Sequence, residues 1–138
     1  MEIKIMLDEG AILPTRAHKA DAGLDLYTPY DVYINGGSSA EVDTGVRMEI
    51  PYGFFGDIRS KSGLLFRSCI FTDGTIDSGY MGSIRVKVLN LGSEPYQFKA
   101  GEKVAQIVIS RCELPELVVA SRMDNTERGE NGFGSSGK

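Results

Sequence analysis

The sequence predicts an all-β fold of the sandwich, jelly-roll or small-barrel kind, and three observations carry that prediction. Apolar and polar residues alternate with period two, turn clusters recur at short intervals, and no segment sustains a helical stripe beyond about three turns. The 17 glycines argue in the same direction, because glycine weakens helix interiors.

The elements follow in order. The stretch "IKIML" opens as a strand candidate, and "ADAGLDLYTP" reads as a turn entering a strand, with the Asp25 carboxylate directed away from the face that Leu24 and Leu26 bury. "DVYI" is next, before the turn "NGGSS". In "AEVDTGVRMEI", Val42, Thr44, Val46, Met48 and Ile50 alternate with Glu41, Asp43, Gly45, Arg47 and Glu49, the pattern of one half-buried strand. "FFGDIRS" and "SCIF" are further strands on either side of the loop "RSKSGL". A turn-rich hairpin, "GTIDSGYMG", leads into "SIRVKVLNL", where Ile84, Val86 and Val88 oppose Arg85 and Lys87. "VAQIVIS" and "ELVVA" complete the set. The length suits one domain, predicted over residues 1–123. Residues 124–138 form a polar, glycine-rich arm that cannot bury enough surface to order itself until something binds.

Bulk chemistry excludes several functions. A net charge of −4 argues against a nucleic-acid partner, whose phosphates demand a surplus of Lys and Arg. No apolar run reaches the length of about 20 residues that spans a bilayer, so no membrane association is expected. The start "MEIKIMLDEG" resembles neither a signal peptide nor a transit peptide, which predicts a cytoplasmic protein. His18 is the single histidine and reads as a solvated loop residue. Cys69 and Cys112 lie in apolar runs without a C-x-x-C spacing and read as reduced packing residues.

The chain ends in "RGENGFGSSGK", whose glycines match both G-x-G-x-x-G and most of G-x-x-x-x-G-K-[ST]. Both motifs require a following helix, and the sequence stops at Lys138, so neither stands as a fold signal. What remains is unhindered backbone, the guanidinium of Arg128 and the ring of Phe133. Beside this arm stand four further blocks: "ADAGLDLYTP" with Asp25, "RSKSGL" with Lys61, Ser62 and Gly63, "GTIDSGYMG" with Asp77 and Tyr80, and "AGEKVAQIVI" with Gln106. Lysine and small residues in a turn suit phosphate, whereas a glutamine in an apolar strand is either exposed or a placed hydrogen bonder.

Together and in this order, the five blocks resemble the trimeric dUTPase family. The resemblance implies a jelly-roll-like (β-clip) subunit in a homotrimer, sites at the subunit interfaces, a C-terminal arm that closes over a site, and Mg2+ on the triphosphate of dUTP. It implies that Asp77 activates the attacking water and that Lys61, Ser62 and Gly63 contact phosphate. Gln106 falls near the α-phosphate, and Arg128, Gly134 and Ser135 clamp the γ-phosphate. Asp25 supports the site and the water shell of the metal, and Arg85 contributes to the substrate site. Tyr80 packs under the deoxyribose, the backbone of Thr75, Ile76 and Asp77 reads the uracil edge, and Phe133 stacks on the base.

Two departures from the family pattern stand out. Lys61 occupies a place where arginine is commonest, with Arg59 two residues earlier, and Phe71 stands where many relatives carry an asparagine in the uracil pocket. Two rival readings stand beside this one. A dCTP deaminase would need a glutamate where this chain has Lys87. A nucleotide sensor without catalysis would have no need of Asp77, Gln106 and Arg128 together.

Overall fold

A computed structural model of the chain describes residues 1–137; Lys138, the last residue of the arm, lies outside the described residues. Ten strands and one helix run in the order β1 Ile5–Leu7, β2 Gly23–Tyr27, β3 Val32–Ile34, β4 Ser39–Asp43, β5 Val46–Met48, β6 Phe54–Arg59, α1 Ser62–Ser68, β7 Ile70–Asp77, β8 Arg85–Asn90, β9 Tyr96–Phe98 and β10 Lys103–Arg111. The all-β expectation holds, and every pairing is antiparallel.

A six-stranded sheet in the order β2-β10-β6-β7-β8-β4 is accompanied by two-stranded pairs β1-β5 and β3-β9. Strand β7 joins two regions, because Ile70–Thr72 pair with β8 while 73–77 pair with β6. The core lies between the layers, filled by Leu26, Ile34, Ile58, Val86, Phe98 and Ile107 among others. Trimming one of its buried leucines or isoleucines to alanine would cost about 2–5 kcal/mol. The buried Thr44 and Asn90 find partners: Thr44 Oγ1 donates to the Ile84 carbonyl at 2.8 Å, and Asn90 Nδ2 donates to those of Ile34 and Glu94 at 3.1 and 2.7 Å.

Four local expectations are corrected. The run 40–50 is two strands rather than one: β4 pairs with β8, β5 with β1, and Gly45 turns between them at φ 68°. A side chain at Gly45 would also come within 2.7 Å of Ala11 Cβ. Val42, Thr44, Val46, Met48 and Ile50 are nevertheless all buried, so the break changes partners without changing faces. "ELVVA" is not a strand, and Leu117, Val118 and Val119 are 93%, 86% and 101% exposed. The loop "RSKSGL" instead begins α1, with Lys61 at its N-cap. Cys69 caps the other end in the left-handed region at φ 53°; both cysteines are free, but Cys69 is exposed and does no packing. His18 is exposed, as expected.

Candidate functional site

One corner of the outer sheet face gathers the polar chemistry of three of the five blocks into a small space. Asp25 and Gln106 are register partners on β2 and β10 and therefore share a face. Gln106 Nε2 donates to the Ser60 carbonyl at 3.0 Å, which resolves its role as that of a placed hydrogen bonder. Its amide oxygen lies over Gly23, so closely that a Cβ there would sit 2.2 Å from Oε1. Lys61, at the N-cap of α1, turns its ammonium onto Asp25 Oδ1. Ser62 and Gly63 follow in the first helical turn, where backbone N–H groups have no intrahelical acceptor. A cavity of about 310 Å³ opens here, lined by Asp21, Gly23, Asp25, Lys61 and Gln106 among others.

Asp25 points away from the core as expected, yet it is not solvated: its side chain is 5% exposed. Lys61 covers Oδ1, and Lys103 Nζ stands 2.7 Å from Oδ2, so each carboxylate oxygen faces an ammonium. Burial alone would push the carboxyl up, but Lys103 and Lys61 together hold it below its ordinary value. The buried carboxylate is thus a stable anion held between two cations.

A second group sits at the far end of β7. Thr75 and Asp77 are exposed on the same sheet face as Gln106, while Ile76 turns inward against the core. After Asp77 the chain leaves β6, and the returning segment joins β4 and β5 through Thr44 and Val46 to Ile84. The two arms of the hairpin therefore part as a fork. Among the described residues no strand pairs with the other edge of 73–77, so its backbone groups are open to a ligand. Tyr80 borders the fork, its hydroxyl donating to the Ser83 carbonyl at 3.0 Å and its backbone N–H to the Asp77 carbonyl at 3.2 Å. Arg85 lies next along β8 and pairs with Glu41 at 3.2 Å.

One chain does not bring the two groups together. From the row containing Gln106, Asp77 lies two strands across and four residues along, about 16 Å away by sheet spacings. Phe71 does not join the fork: six residues of extended strand separate it from Asp77, about 20 Å. Arg59 is the register partner of Gln106 and is committed to Asp57 at 2.8 Å. Arg128 donates to the Asn131 carbonyl within the arm, and Phe133, Gly134 and Ser135 stand exposed, away from both groups. Sequence reasoning missed Lys103, although it lies within "AGEKVAQIVI"; its only signal was a basic residue directly before the buried Val104 and Ala105 of β10.

Among the described residues no three His, Cys, Asp or Glu side chains cluster to hold a metal. No helix of the described residues is long and apolar enough to cross a membrane.

The sequence model of the dUTPase family matches residues 9–137. The deoxyuridine 5′-triphosphate nucleotidohydrolases of Mycolicibacterium gilvum and Mycobacterium leprae are each 44% identical over 142 residues, covering 96% of this chain and 92% of theirs. In three dimensions the fold is similar to a mutant dUTPase of Staphylococcus bacteriophage 80alpha with dUpNHpp, at TM-score 0.93 and 28% identity over 99% of both chains. It is also similar to a mutant dUTPase of phage phi11 of S. aureus, described with a structural Mg(II) ion, at TM-score 0.83 and 27% identity over 88% of this chain and 98% of that one. Five motif blocks in order, a matching fold and curated relatives along nearly the whole length lead to one conclusion: the chain belongs to the dUTPase family.

Proposed function

We propose that the protein hydrolyses dUTP to dUMP and pyrophosphate, keeping uracil out of DNA and supplying dUMP for thymidylate synthesis, in a homotrimer whose sites each draw on more than one chain. The observation that carries this reading is the pairing of two incomplete groups on one sheet face: a fork with Asp77 and Tyr80, and a phosphate corner with Lys61, Ser62, Gly63 and Gln106. Attack on an α-phosphate requires Asp77 within hydrogen-bond reach of a water that itself touches phosphorus. Gln106 serves the same phosphate from about 16 Å away within its own chain, so the fork of one subunit meets the corner of a neighbour. The exposed Leu117, Val118 and Val119 supply an apolar strip for covering by a second copy of the chain.

In that composite site the open edge of 73–77 reads uracil, and the ring of Tyr80 leaves no space for a 2′-hydroxyl. Asp77 accepts the proton of the attacking water as its oxygen bonds to the α-phosphorus; the bond to the bridging oxygen breaks, and pyrophosphate leaves in line. Lys61, the Ser62 and Gly63 amides and Gln106 offset the charge that develops on the phosphates, the kind of help phosphoryl transfer depends on. Arg85 supports the fork, and the arm brings Arg128, Phe133, Gly134 and Ser135 over the bound nucleotide, excluding water. The donor set fits magnesium only indirectly: with no cluster of carboxylates among the described residues, Asp25 would hold a water of its shell, and the ion would neutralise triphosphate oxygens.

A panel of dUTP, UTP, dTTP and dCTP scored for pyrophosphate tests this reading. Release from dUTP with little from the others is expected; ammonia from dCTP would overturn it. Asp77→Asn should bind dUpNHpp nearly normally and turn over dUTP slower by roughly a hundredfold or more.

A further inference from the structure

Strand β10 is irregular at one point, and the irregularity aims a side chain. Lys103 opposes Tyr27, Ala105 opposes Leu26 and Gln106 opposes Asp25, so one residue is inserted between Lys103 and Ala105. In a regular strand, residues three apart face opposite sides. The extra residue restores Lys103 to the face of Gln106, and Val104 and Ala105 are consecutively buried in consequence. Bulges of this kind redirect side chains beside functional sites. Here the redirected ammonium reaches Asp25 Oδ2, at 2.7 Å.

The two lysines on Asp25 are held differently. Lys103 leaves a turn that is anchored on both sides of Thr28: the Gly101 N–H donates to its carbonyl at 2.7 Å, and its own N–H donates to the Glu102 carbonyl at 3.0 Å. Both lysines line a larger cavity of about 500 Å³, but only Lys61, at a helix N-cap, also lines the corner cavity beside Gln106, so Lys61 is the one a ligand there meets. A triphosphate in the corner would attract Lys61 away from the carboxylate. Asp25 would then be a buried anion with Lys103 as its remaining cation, and an uncompensated buried charge is strongly disfavoured.

We propose that Lys103 is a positioning residue for dUTP hydrolysis: it holds Asp25 ionised and in place while Lys61 transfers from the carboxylate to the phosphates. The inference rests on the reading of the site as a dUTP-hydrolysing one. It divides labour between two like residues, which a purely structural ion pair would not do.

The test compares steady-state kinetics on dUTP at saturating magnesium. Lys103→Met should lower kcat by about tenfold or more with KM changed by less than about threefold, whereas Lys61→Met should mainly raise KM. Lys103→Arg should recover most of the lost kcat. In an Asp25→Asn background, Lys103→Met should cost less than about twofold, because the two act as a unit. If Lys103→Met is too unstable to purify, Lys103→Gln carries the same comparison. A Lys103→Met kcat within about twofold of wild type, or an equal loss in the Asp25→Asn background, would overturn the role of Lys103. Absence of dUTP turnover by the wild-type protein would instead overturn the reading of the site.

Discussion

Replacing Gly23 by alanine isolates the contribution of Gln106 without touching it. The new Cβ would stand 2.2 Å from Gln106 Oε1 and 3.0 Å from Cδ, where ordinary contact begins at 3.4 Å, so the amide must retreat by 3.4 − 2.2 = 1.2 Å. The hydrogen bond from Nε2 to the Ser60 carbonyl at 3.0 Å cannot survive such a shift. Its loss costs about 0.5–1.5 kcal/mol, offset by about 0.4–1 kcal/mol because alanine restricts the unfolded chain. Gly23 is not a left-handed position, so the backbone accepts alanine. Stability should therefore move by no more than about 1 kcal/mol, a few degrees in Tm for a domain of this size. Catalysis responds more sharply, since misplacing a group by about 1 Å can cost a hundredfold. Pyrophosphate release from dUTP, read beside thermal unfolding, separates the two effects. A Gly23→Ala protein with kcat within about threefold of wild type would refute the placement of Gln106 at the reacting phosphate.

Three further outcomes are expected. Deleting residues 128–138 should remove most turnover, by about tenfold or more, while light scattering finds the assembly unchanged; dissociation would make the arm structural. Val118→Asp should weaken assembly by at least about tenfold in concentration, measured by sedimentation, and an unaltered oligomer would free the strip from any interface. Because the carboxyl of Asp25 sits below its ordinary value of 3.8, it stabilises the fold above that pH and loses this contribution as pH falls through the lower folded value. Thermal unfolding between about pH 6 and pH 3 should thus fall less steeply in Asp25→Asn than in wild type.

How far the sequence reached depended on where each feature's cause lies. Alternation located the buried face of residues 40–50 without revealing the turn at Gly45, because the break preserves the face and changes only the neighbour. "ELVVA" has strand-forming residues but no partner within the chain, and local composition cannot supply one. Helix α1 spans seven residues, too few for a period to register. The direction of Asp25 was legible from Leu24 and Leu26, but its burial comes from Lys61 and Lys103, far off in sequence. Asp77 and Gln106 were recognisable as motif residues; the distance between them is a property of register across β10, β6 and β7, which no single block contains.

That distance has a genetic corollary. If Asp77 and Gln106 of one site belong to different chains, two inactive proteins can repair one another. Asp77→Asn and Gln106→Ala subunits, unfolded and reassembled at equal ratio, would pair an intact aspartate with an intact glutamine at about one site in four. A mixture of two dead parents should then recover about a quarter of wild-type turnover, and a defective allele of one kind should be partly masked by the other.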